Sequence, residues 1–404
     1  MGEAYFSDIA GKGKKMICFS VSFFSQLLTS LTIAKKLKKI NPEIIIVFGG
    51  NTNKLIKEKI PEYKRLFEIV DFFVLGDGEE TLFNLIKFHK NKDNSVKLED
   101  ISNIFYLKDG KVNFTNEDSF DINNAVSPEY DFYNTNKYYF SSIPNNLLLP
   151  MRTALGCYWN KCGFCSLSLA KYRQRKIELL IQDINHVVKK YHPSDIWFVD
   201  LSISAERLKL IAAALIENKI KVNWRCFTRF EKGYTPETCR LLAKSGCNVL
   251  TFGLESGNDR VNALINKGFE LSLAETILAN LAFAGIRTSV ACVAGFPTET
   301  EEEYKDTLKF LEKNRENISY YSINIFSLNS DSHVYYNPEK YGVTKIEEPE
   351  GYFYIRHLNY KIDKGLTREE TQQILRNTPR IKKSKLSLLK FRFRRIQNKI
   401  KRMS

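Results

Sequence analysis

Three cysteines, Cys157, Cys162 and Cys165, lie within nine residues of the stretch "GCYWNKCGFCS". Thiols at i, i+5 and i+8 on one loop can converge on a single metal centre. A structural zinc ion is normally closed by four ligands. No fourth Cys or His lies nearby, the closest histidines being His186 and His192. Three thiolates suit a cubane 4Fe-4S cluster, which leaves its fourth iron open to another ligand. Spacing alone favours the cluster and keeps zinc as the rival. Cys226, Cys239, Cys247 and Cys292 read as small buried hydrophobes, and no cysteine follows Cys292 to support a second cluster. The start "MGEAYFSDIAGKGKK" has no apolar signal core, so free thiols and a cytoplasmic location are expected.

The elements that must position this loop follow from alternating apolar runs and helical patterns. From about residue 150 to 330, candidate strands are "MRTAL", "DIWFVD", "KVNWRCF", "VLTFGLE", "TSVACVAGF" and "SYYSINIFSL". Amphipathic helices such as "SAERLKLIAAALIENK" and "ETEEEYKDTLKFLEKN" lie between them. Six units predict a partial (β/α)6 TIM-like barrel, since a full eight-unit barrel takes about 250 residues. The cysteines then sit at the carboxyl end of the first barrel strand, where barrel enzymes place their sites. Residues 1–125 alternate in the same way. "MICFSVSF", "EIIIVFGG" and "YKRLFEIV" followed by "DFFVLGDGEETLFNLI" predict a parallel sheet covered by helices. "IFYLKDGKVNF" predicts a hairpin turning at Asp109–Gly110. Residues 126–149 read as a linker and 331–404 as a small, helical, basic C-terminal region.

The cysteine loop resembles that of the radical S-adenosylmethionine (SAM) superfamily, whose usual spacing is C-x3-C-x2-C with an aromatic before the last cysteine. Phe164 precedes Cys165 here, while four residues separate Cys157 from Cys162. Further resemblances follow in the family's order. "WFVDLS" puts Asp200 where the family faces the SAM amine. "FGLESGNDRVNALINKG" resembles its fourth-strand segment along the SAM ribose and carboxylate, with Glu255 and Ser256 as polar candidates. "VAGFPTETEEE", with Gly295, resembles the segment beside the adenine. The resemblance implies a 4Fe-4S cluster on the three cysteines, SAM as cofactor, and reductive cleavage of SAM to a 5′-deoxyadenosyl radical. Arg229 is expected either to pair with the SAM carboxylate or to be a rim arginine satisfied by Glu255 or Glu231. Gly253, Gly257 and Gly295 would permit close backbone approach.

"ICFSVSF…IIIVFGGN…FFVLGDGEE" resembles the Rossmann-like (flavodoxin-like) cobalamin-binding domain that precedes the barrel in one branch of that superfamily. Ser20, Ser22, Gly49 and Gly50 match the positions that approach cobalamin, at the carboxyl ends of strands where open α/β sheets bind ligands. The family's first strand and helix are not evident and its D-x-H-x-x-G motif is absent, so the domain reads as incomplete. The implied activity is a cobalamin-dependent methyltransferase or related C–H modifying enzyme. A peptide, another secondary metabolite or a lipid is the expected substrate, and a flavodoxin, ferredoxin or reductase the electron donor. The rivals are a methylthiotransferase acting on RNA or protein, and a non-catalytic metal-stabilised binding protein.

The net charge of +15 is uneven: 11 of the 61 Lys and Arg lie beyond Asn377 with no Asp or Glu. Leu386, Leu389, Phe393, Ile396, Ile400 and Met403 recur at helical spacing there, predicting an amphipathic helix with a basic face. Packing on the barrel is the first expectation for it. An anionic membrane surface, making the protein peripheral, comes second, and nucleic acid is not expected.

Overall fold

The computed structural model describes residues 3–11, 16–90, 96–134, 147–165, 171–348 and 357–378. These divide into two compact units, one within Met1–Ala125 and one formed by Val126–Glu348 with the segment from His357.

In the first unit α1 (Glu3–Gly11), β1 (Met16–Ser20), α2 (Phe24–Ile40), β2 (Ile45–Gly49), α3 (Asn51–Leu55), β3 (Phe72–Val74), α4 (Glu79–Lys90), β4 (Ile104–Lys108) and β5 (Lys111–Phe114) follow in chain order. The sheet order is β1-β2-β3-β4-β5. The first three strands are parallel, and β4 and β5 form the antiparallel edge. Asp109 and Gly110 both take positive φ, as a tight two-residue hairpin turn requires. Ile44, Ile46, Phe48 and Phe73 fill the core. The stretch "YKRLFEIV" is not a strand: Lys64–Glu68 is a 3-10 turn, and β3 alone carries the third parallel position.

The second unit holds β6 (Leu148–Met151), β7 (Ala154–Leu155), β8 (Arg173–Gln174), α5 (Ile177–Tyr191), β9 (Asp195–Phe198), α6 (Ala205–Glu217), β10 (Asn223–Thr228), α7 (Pro236–Ser245), β11 (Cys247–Glu255), α8 (Asp259–Ile265), α9 (Leu271–Phe283), β12 (Arg287–Ala294), α10 (Glu301–Lys313) and β13 (Tyr320–Ile325). One six-stranded parallel sheet runs β13-β12-β11-β10-β9-β6. This is the partial (β/α)6 barrel. The first barrel strand lies earlier than "MRTAL": β6 ends at Met151, and Ala154–Leu155 pair instead with Arg173–Gln174. Local chemistry starts and stops the helices. Ser204, Thr235 and Thr300 cap α6, α7 and α10 through their hydroxyls, and Gly246 ends α7 in the left-handed region. Side chains alternate along the strands: Trp224, Leu250, Phe252 and Val290 go to the core under the helices, and the intervening residues go to the concave face.

The region after β13 is not simply helical. β14 (Leu328–Asn329), α11 (His333–Tyr336), β15 (Val343–Glu347), β16 (His357–Ile362) and α12 (Arg368–Asn377) include a three-stranded antiparallel sheet ordered β14-β16-β15. Of its strands only β16, within "YFYIRHLNYKI", is legible from sequence; β14 and β15 are too short and too polar. The basic amphipathic stretch 379–404 lies outside the described residues. No helix among the described residues is long and apolar enough to cross a membrane.

Candidate active site

The cysteine loop leaves β7 at its base and is held there by two buried groups. Asp200, just past β9, accepts hydrogen bonds from the Thr153 amide at 3.0 and 3.1 Å, the Thr153 hydroxyl at 3.0 Å and the Ala154 amide at 2.5 Å. Burial raises its pKa, and those same donors oppose the rise. Arg207 of α6 donates to the carbonyls of Thr153 and Arg175 at 2.9 and 2.6 Å. The Asp200 carboxylate is therefore turned toward the protein's own backbone, as the anchor of the loop rather than a free group facing a ligand.

The loop is clamped on two sides. The Trp159 indole donates to the Asn266 carbonyl at 2.8 Å, and its ring lies 3.6 Å from the Arg229 guanidinium. Gly268, at φ +69°, makes that packing possible: a Cβ there would come within 2.2 Å of the Trp159 ring. The Gly163 amide donates to Ile265 O at 2.8 Å, while its carbonyl accepts from Val334 of α11 at 3.0 Å. The Phe164 carbonyl accepts from Asn329 at 3.4 Å. The Cys165 amide closes a turn onto the Cys162 carbonyl at 3.1 Å.

Cys157, Cys162 and Cys165 are all half-buried free thiols. Burial pushes the Cys162 thiol up to about 11; the Lys267 ammonium works against this, and Glu255, Cys165 and Cys157 add to the rise. The three thiols thus share one electrostatic neighbourhood with a buried cation. Among the described residues no three Cys, His, Asp or Glu side chains meet tightly enough to hold a single metal ion. A cubane makes a different demand, because each thiolate ligates its own iron and the sulfurs do not gather at one point. The donor set fits a three-cysteine cluster.

Lys267 pairs with Glu255 at 3.0 Å, both side chains under 10% exposed. Burial alone would lower the Lys267 ammonium, but the charges of Glu255 and Cys162 hold it above its ordinary value. Glu255 reaches the pair from a bulge at the end of β11, at φ +64°. Gly253 leaves the space, since a Cβ there would meet the Glu255 carboxylate at 2.2 Å. Arg229 does not pair with Glu255; it meets Glu231 at 3.3 Å and donates to the Lys267 carbonyl. Ser256 is fully buried and spends its hydroxyl on Thr307 and the Asn258 amide. Gly295, at φ +70°, lies against Thr371 of α12, where a Cβ would meet the hydroxyl at 2.4 Å. The structure therefore gathers the cysteines, Phe164, Arg229 and Glu255 at one rim, and engages Asp200, Ser256 and Gly295 within the protein. Lys267, Trp159 and Asn329 were not singled out by sequence. Only "NKG", two residues past a helix on the same rim, hinted at the first.

In the first unit, register pairs Ser20 with Gly49 at the carboxyl ends of β1 and β2. Ser20 and Ser22 are exposed there. Gly50, at φ +98°, sits on the Val21 backbone, where a Cβ would approach the carbonyl to 2.6 Å. Asn53 donates to the carbonyls of Phe48 and Val74 at 2.7 and 3.0 Å, tying the ends of β2 and β3. The Thr52 hydroxyl and the Asn53 side-chain carbonyl are buried with no partner, polar capacity left unspent at the sheet end.

Residues 151–311 match the family model of the radical SAM superfamily. The chain carries a radical SAM domain, the class whose cofactors are a 4Fe-4S cluster and SAM. It is 26% identical over 328 residues to an uncharacterized methyltransferase of Pyrococcus horikoshii, covering 76% of this chain and 67% of that one. It is 21% identical to the anaerobic magnesium-protoporphyrin IX monomethyl ester cyclase of Cereibacter sphaeroides, covering 69% of this chain and 50% of that one. Its fold is similar to that of OxsB, a cobalamin-dependent SAM radical enzyme solved with aqua-cobalamin, at TM-score 0.70 and 16% identity over 99% of this chain and 65% of that one. The chain thus spans between half and two thirds of the length of these relatives.

Proposed function

We propose that this protein is a radical SAM enzyme of the cobalamin-dependent kind, transferring methyl groups or otherwise modifying an unreactive C–H position of a peptide or other secondary metabolite. The observation that carries the reading is the three-cysteine loop, clamped at the carboxyl end of the barrel beside the buried Lys267–Glu255 pair. Cys157, Cys162 and Cys165 would hold three irons. When bound, the cluster and SAM supply the 5′-deoxyadenosyl radical, chemistry that belongs to the cofactors. The protein orients them: Asp200 and Arg207 fix the base of the loop, Trp159 and Arg229 fix its middle, and Lys267 keeps positive charge beside Cys162. Ser20, Ser22, Gly49 and Gly50 form the cradle for cobalamin, whose fit rests on the exposed serines and the close Gly50–Val21 approach. A ferredoxin, flavodoxin or reductase would deliver the electron. An RNA- or protein-directed methylthiotransferase fits less well, since that family carries three more cluster cysteines in its N-terminal domain and this chain has only Cys18 before Cys157.

The test is anaerobic reconstitution with iron and sulfide, then SAM and a strong reductant, with 5′-deoxyadenosine quantified. The wild type should produce it, and Cys157→Ala should lose both the product and most of the bound iron. One zinc and no iron per chain would overturn the reading.

A further inference from the structure

The concave face of the six-stranded sheet is unusual for a barrel interior. Barrel lumens are packed mainly with branched aliphatic side chains. Here the half nearer the strand starts encloses an open cavity of about 310 Å³, lined among others by Trp197, Arg225, Phe227, Arg287, Ser289 and Tyr320. The three aromatics remain 36%, 39% and 57% exposed, each only partly covered by the described residues. Register puts Arg225 opposite Val249 and Val249 opposite Arg287. The two arginines are thus two strands apart, roughly 10 Å between backbones, close enough for both long side chains to reach one anion over Val249.

The two guanidiniums have one carboxylate between them among the described residues. Arg225 gives one nitrogen to Asp195 at 2.9 Å, and Asp195 is also held by Asn248 at 2.6 Å. The Arg287 side chain makes no hydrogen bond or ion pair among the described residues. The Nε of each arginine is buried without a partner. Buried donors left unmade are expensive, and two guanidiniums converging on one space form the geometry that recognises a carboxylate.

We propose that this half of the lumen binds a carboxylate-bearing substrate with a flat or extended apolar body, Arg225 and Arg287 holding the acid and Trp197, Phe227 and Tyr320 lining the rest. This deepens the enzymatic reading and rests on it for the word substrate. Arg229, on the cysteine-loop rim, lies four residues beyond Arg225 on the same strand path, about 13 Å away at the rise of a β-strand. A substrate anchored by its acid in the lumen therefore has that length to span before it reaches the rim.

Binding is tested without radical chemistry, on the full-length chain both iron-free and reconstituted, by fluorescence titration with 1-pyrenebutyrate. The neutral analogue 1-pyrenebutanol is the control. The acid should bind saturably and at least tenfold more tightly than the alcohol. Arg287→Gln and Arg225→Gln should each remove most of that preference, with melting temperature and circular dichroism verifying the fold. Trp197→Phe should weaken both probes alike and keep the preference. Equal affinity for acid and alcohol, or an unchanged preference in a folded Arg287→Gln variant, overturns the proposal. So does full displacement of the probe by millimolar inorganic phosphate, which would mark a small-oxyanion site with no use for the aromatics. Binding by protein that makes no 5′-deoxyadenosine would keep the acid site and reject only the radical enzyme, so the two failures are distinguishable.

Discussion

At the scale of single residues, Lys267 and Glu255 are the pair on which the rim depends. Two charges shielded from water are tolerable only together, and removing one partner of a buried pair costs about 3–5 kcal/mol. Lys267→Met should therefore lower the denaturant midpoint and melting temperature markedly, while a Lys267→Met/Glu255→Leu double variant should recover most of the loss. A single variant that melts with the wild type would show that the pair is not shielded. The sequence hints at this lysine only by its place just past a helix and says nothing of its pairing, because its partner lies 12 residues away across a bulge and a helix. The three cysteines were readable because their spacing is local, and local spacing survives folding. Asp200 shows the opposite case: its position at a strand end was legible, but the direction of its carboxylate was not, since that depends on the backbone of another strand.

At the scale of elements, the turn after β12 stores a pH-dependent contribution. Glu299 is fully buried, and burial pushes its pKa from an ordinary carboxylic value up to about 7, against the amides of Gly295 and Phe296. Arg260 and Glu303 face it with opposing influence. The sign follows from proton counts. Between the ordinary carboxyl pKa and about 7 the folded chain holds a proton that the unfolded chain has released. Stability should fall as pH rises through that window, by about 3 kcal/mol in all. Glu299→Gln, which keeps the shape and the amide contact, should flatten that slope. Urea midpoints measured from pH 5 to 8 check it; an equal slope in both proteins would place the titration elsewhere. The backbone carbonyl of Glu299 itself receives the Leu366 amide at 2.8 Å, tying the segment before α12 to this turn.

At the scale of the whole molecule, the proposed pair of cofactor sites predicts two separable stabilisations. A ligand that binds only the folded state at a hundredfold excess over its Kd adds about 2.7 kcal/mol. Hydroxocobalamin should raise the melting temperature of the wild type. Gly50→Val, which drives a side chain into the Val21 carbonyl, should abolish that rise and also lower the starting temperature. Cys157→Ala should leave the cobalamin-induced rise in place. A flat melting temperature across cobalamin concentrations would remove the corrin from the reading and keep the barrel chemistry.

The sequence by itself determined the partial barrel, the three-cysteine loop at its carboxyl end and the strand ends around Gly49 and Gly50. Each rests on short-range signals: apolar period, Cys spacing and an apolar run that stops at two glycines. Only the tertiary structure decided that Arg229 answers to Glu231 and Trp159, that Lys267 stands beside Cys162, and that Gly295 leaves room for Thr371 rather than for a ligand alone. It also decided that two arginines share an open lumen. These depend on which side chains distant segments bring face to face, and burial then sets what each charge must do.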